Sequence, residues 1–98
     1  MRSRLPLPLF IAVMLIIPVL AFAHGGREHV LGTVASIDEH TIVVRTKSGD
    51  VSVPLAAATR YFHGSGTKHP ARADEVRDGM RVVVHYGADG RAAEVHIP

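Results

Sequence analysis

Apolar and polar side chains alternate along several stretches of the chain with the period of two that a half-buried β-strand requires. In Val51 to Leu55, "VSVPL", Val51, Val53 and Leu55 share one face. In Thr41 to Thr46, "TIVVRT", Ile42 and Val44 share one face. Between them lies "KSGD", and Ser48-Gly49 predicts a two-residue hairpin turn that pairs Lys47 with Asp50, Val44 with Val53 and Ile42 with Leu55. A second hairpin is predicted from "MRVVVHY" and "AAEVHI", joined by "GADG" with Asp89-Gly90 as its turn. It directs Met80, Val82, Val84, Tyr86, Ala93, Val95 and Ile97 inward, and Arg81, Val83 and His85 outward. The opening strand is His29 to Ile37, "HVLGTVASI". Its apolar phase shifts between Val34 and Ile37, which predicts a β-bulge, and Gly32 allows a close backbone approach.

The pattern changes between Leu55 and Met80. "TRYFH" extends the third strand or forms a short extra one, "GSGTK" is loop, and "PARADEVRDG" predicts a short helix from Pro70 with Gly79 as its stop. The order is three strands, a helix and two strands. It predicts an all-β, five-stranded OB-like barrel with the helix between strands 3 and 4, and an SH3-like barrel or open β-roll as the alternatives.

Residues 1–23 follow a different logic. Arg2 and Arg4 precede an uncharged, mostly apolar stretch that ends in Ala21-Phe22-Ala23, the layout of a secretory signal peptide cleaved after Ala23. The unbroken apolar run Leu9 to Ile17 has 9 residues, and a spanning helix needs roughly 20. A stable membrane anchor after cleavage is therefore not expected. The expectation is a leader at 1–23, a flexible mature N-terminus at 24–28, a barrel domain at 29–98, and a periplasmic or secreted location.

Cleavage changes the charge. The 98-residue chain has 11 Lys+Arg and 9 Asp+Glu; without Arg2 and Arg4 the remaining 75 residues carry 9 of each. A neutral chain has no field to attract a nucleic acid, so none is expected as partner. There is no cysteine, so disulfides, thiolate metal sites and thiol catalysis are excluded.

At this point the residues carry a resemblance. "HVLGTVASIDEHTIVVRTKSGDVSVPL", "ATRYF" and "ADEVRDGMRVVVHY" resemble small exported bacterial β-barrel domains catalogued as a domain of unknown function. The resemblance spans residues 29 to 97 and implies the fold and export, with no activity to carry over. In size, export and strand order the chain also looks like the copper-carrying barrels of metal-efflux systems. Those surround the metal with methionines and a tryptophan, whereas residues 24–98 hold only Met80 and no Trp.

The chemistry left to such a chain is that of its seven histidines, His24, His29, His40, His63, His69, His85 and His96. Imidazole suits zinc, copper and nickel. Cleavage would expose the α-amine of His24, which with its own imidazole can chelate Cu(II), and His29 follows across Gly25-Gly26. His85, Glu94 and His96 project outward on the last hairpin. A two-residue turn sets His85 opposite Glu94 with His96 diagonal to both; a longer loop moves His96 opposite Arg81. The plainer reading of that group is a solvated face. Around the Gly64–His69 loop, Tyr61, His63 and His69 form a second surface, and alternation leaves open whether Tyr61 or Phe62 is exposed. No catalytic constellation is present. The expectation is a non-catalytic binding module for an envelope protein or small ligand. The alternatives are histidine-based binding of copper or zinc and, more weakly, an acid response of the histidines near pH 6.

Overall fold

The computed structural model describes residues 16–18 and 28–98. His24 and almost all of the leader lie outside them. The strands are β1 (Ile16–Pro18), β2 (Glu28–Ile37), β3 (Thr41–Thr46), β4 (Gly49–Pro54), β5 (Arg60–His63), β6 (Arg81–Tyr86) and β7 (Ala92–Ile97). They form one mixed sheet in the order β1-β4-β3-β2-β6-β7-β5. Among the described residues no helix is long and apolar enough to cross a membrane.

The sheet is open, and the predicted third strand is two. Pro54 ends β4, since it has no N–H for a ladder. A turn follows in which Thr59 Oγ1 accepts from the Ala56 N–H and donates to the Ala92 carbonyl. The chain re-enters as β5, parallel to β7 on the far side of the sheet. The predicted helix at Pro70–Gly79 is a single 3-10 turn, Ala73–Glu75. Its sequence offers no apolar stripe to bury, only Val76, and that residue leaves helical geometry at φ −84°, ψ 122° to enter the core.

β2 is the pivot. It pairs with β6 through Glu28–Thr33 and with β3 through Thr33–Ile37, with the expected bulge between Val34 and Ser36. Where the two ladders meet, a Cβ on Gly32 would collide with the Arg45 carbonyl and lie 2.9 Å from Val44 Cγ1. Glycine permits that approach. The core beneath is mostly valine: Val34, Val44, Val53, Val82, Val84 and Val95, with Ile42 and Ile97. Side chains of this size each contribute about 1.5–3 kcal/mol on burial.

Both hairpins correct the sequence expectation. The first turns at Lys47-Ser48, because Thr46 pairs with Gly49; Val44 then faces Val51, Ile42 faces Val53, and Asp50 meets Arg45 at 3.5 Å rather than Lys47. The Thr46 hydroxyl fixes this turn, donating to the Gly49 carbonyl and accepting from the Ser48 N–H. The shift of two residues keeps every side chain on its face. In the second hairpin Gly90, at φ +79°, closes a longer loop in which Gly87 pairs with Arg91. That loop displaces the register by one, and an irregularity beside Tyr86 restores it. Ala92, not Ala93, therefore enters the core, while His85 still meets Glu94.

Candidate metal centre

The strand register assembles the outer face as rows. His29 on β2 lies opposite His85 on β6, His85 opposite Glu94 on β7, and Glu94 beside Arg60 on β5. In the next row Leu31 faces Val83, Val83 faces His96, and His96 lies beside Phe62. One row further, Thr33 lies between Arg81 and Arg45. Histidines scattered over 68 positions of sequence, from His29 to His96, thus meet on three neighbouring strands.

His96 was expected on the surface, and it is buried, with 5% of its area exposed. The parallel addition of β5 lays the Phe62 ring against it, at 5.4 Å between centroids and 26° between planes. His85 meets it edge-on at 5.1 Å. The backbone beyond β5 completes the enclosure: His96 Nδ1 lies 2.8 Å from the Gly64 carbonyl oxygen. A carbonyl only accepts, so Nδ1 carries a proton and donates. Nε2 then points at Glu94 Oε1, 2.9 Å away. A carboxylate also accepts, so at this distance the contact is a hydrogen bond made by a proton shared between the two groups, and an ion would take that proton's place only by parting the two atoms. An imidazole that donates one N–H to a backbone carbonyl and turns its other nitrogen to a shared centre is how a metal-ligating histidine is held.

The ligand atoms of His85, Glu94 and His96 all lie within 4.8 Å of one another. Zn–N and Zn–O bonds of about 2.0–2.2 Å hold tetrahedral ligands about 3.3 Å apart. An ion would therefore have to draw His85 and Glu94 in toward the fixed His96 ring. His29, exposed, lies next to His85 with ring centroids 5.7 Å apart and planes tilted by 54°. Three of the five residues singled out for metal binding, His85, Glu94 and His96, are thereby brought together, and His29 adjoins the group through His85. The fifth, His24, lies outside the described residues.

Tyr61, His63 and His69 are not gathered in the same way. Tyr61 packs against the core, and burial pushes its phenol upward. Phe62 is the more deeply buried of the aromatic pair. His63 bridges the Pro98 backbone oxygen through Nδ1 and Glu75 Oε1 through Nε2, both at 2.9 Å. Those acceptors, Pro98 first, raise it above its ordinary value. Glu75 is lowered first by the Arg72 N–H and then by His63. His69 is exposed, and its carbonyl accepts from the His63 N–H.

A shallow pocket of about 220 Å³ opens beside the cluster, lined by Leu31, Arg81, Val83, His85, His96 and Pro98 among others. The stacking of Phe62 and the approach of the Gly64 carbonyl to His96 are not legible in the sequence, because they exist only once β5 lies parallel to β7. Comparison of the chain with protein-family models, with curated proteins and with solved structures gives no match.

Proposed function

We propose that this chain is a non-catalytic exported binding module whose ligand is a divalent transition metal ion, zinc or copper(II). The observation that carries the reading is the buried His96, oriented by the Gly64 carbonyl and aimed at Glu94, with His85 and His29 alongside. Two or three imidazoles and a carboxylate suit zinc or copper(II), and the chain has no thiolate for softer ions. The leader-like pattern of residues 1–23 supports a periplasmic or secreted location. We read the fold as an opened relative of the OB-like barrel, with β4 and β5 as one interrupted third strand, in keeping with the exported domains of unknown function that the sequence resembles.

Calorimetric titration of protein recovered from the periplasm of an expression host tests this. One Zn(II) or Cu(II) should bind at micromolar or tighter affinity, and less tightly below about pH 6, where protons compete for imidazole. His96→Ala should abolish binding, and His29→Ala should weaken it by about tenfold. Loss of binding in His24→Ala with His96→Ala unaffected would move the ion to the N-terminus and sink the proposal. Turnover of ester or phosphoester substrates by the metal-loaded chain would overturn its non-catalytic part.

A further inference from the structure

Two of the metal-directed side chains, His85 and His96, also line the pocket, whereas Glu94 and His29 do not. An ion held by His85, Glu94 and His96 would therefore have the carboxylate behind it and the pocket in front. Leu31 and Val83 form the apolar floor, and Leu31 is exposed to 53%. Arg81 stands at the other end. It enters no ion pair among the described residues. His96 pairs with Val83, so Arg81 lies one row beyond, about 7 Å along the strand. The pocket thus has a Lewis acid's position at one end, hydrocarbon in the middle and a guanidinium at the other.

Resting on the metal reading, we propose that the metal-loaded site takes a dipeptide-sized zwitterion, with its amine on the ion, its side chain over Leu31 and Val83, and its carboxylate on Arg81. Two residues of extended chain span about 7 Å, which matches the interval. On coordination the ammonium group releases its proton to solvent and the nitrogen lone pair binds the ion. The carboxylate meets a planar fork of N–H donors, the geometry guanidinium offers best. Arg81 is the one arginine or lysine in the pocket lining, so the carboxylate is drawn to that end and the amine to the other.

Titration of the zinc-loaded chain with glycylleucine tests the inference, with zinc content measured before and after each run. Glycylleucinamide lacks the carboxylate, N-acetylglycylleucine lacks the free amine, and Arg81→Gln lacks the guanidinium. Each change should weaken binding by about tenfold or more, the loss of one charge-assisted contact. The Arg81→Gln chain should keep its zinc affinity within about twofold, since Arg81 is not a ligand. Equal binding of the amide and the acid, unchanged binding by Arg81→Gln, or no binding by a chain shown to hold zinc would overturn the proposal and leave the metal reading standing. Binding of equal strength to the metal-free chain would remove the amine–metal contact. Failure of zinc itself to bind is a separate result, and it would remove the metal reading together with what rests on it.

Discussion

His96 shows how far neighbours alter a residue. On an isolated hairpin it would be a wet imidazole; with Phe62 stacked on one side and the Gly64 carbonyl on Nδ1, it is a buried, singly oriented donor. His63 has the contrasting fate. Its two acceptors hold both ring nitrogens as donors, and the group sits at the margin of the fold rather than in the cluster. The pH dependence follows from the directions of the shifts. His63 is raised above 6.5, so its contribution to stability is complete below 6.5 and is lost as pH rises through the higher folded value. Glu75 is lowered below 4.5, so its contribution is complete above 4.5 and is lost as pH falls through the lower folded value. The pair should stabilise most between about pH 4.5 and 6.5. Urea denaturation of the wild type and Glu75→Gln in a metal-free buffer should show their largest difference in that window and a smaller one at pH 9. A difference that does not vary with pH would contradict it.

At the scale of elements, β2 is the strand on which the site depends. Its first half carries His29 and Leu31 to β6, and its second half pairs with β3. Gly32 makes the crossing possible, because its missing side chain leaves room for the Arg45 carbonyl. Gly32→Ala should cost about 3 kcal/mol by forcing two backbones apart, measured by denaturant midpoint. A cost near zero would show that β2 can bend elsewhere. The second hairpin makes a related point. Its loop is longer than Asp89-Gly90 predicts, yet His85 still meets Glu94, because the irregularity next to Tyr86 returns the strand to register. A turn and a bulge compensate, and the outward residues keep their partners.

For the whole molecule, stability and ligand binding are linked. A domain of this size has a small core, here built mostly from valines. An ion that binds only the folded state at 100 times its dissociation constant adds about 2.7 kcal/mol. For a domain of 60–100 residues that corresponds to a rise of roughly 10–20 °C in Tm. Thermal melts with and without zinc should show it for the wild type and not for His96→Ala. An equal shift in both would mean that the ion binds somewhere other than the β6–β7 cluster.

The alternation of side chains was enough to define five of the strand segments, the bulge in β2, the inward valines and the outward direction of His85 and Glu94, because a period of two is a local property. Local information also led to the turn at Ser48-Gly49 and the helix after Pro70. There a threonine hydroxyl and the burial of Val76 prevailed over the residue preferences. Tertiary structure alone decided that β5 crosses to lie parallel to β7. That single long-range pairing brings Phe62 and Gly64 to His96 and Arg60 to Glu94, and it makes a polar face into an enclosed site. No periodicity can announce it, since the two strands are separated by 28 residues and joined by no turn.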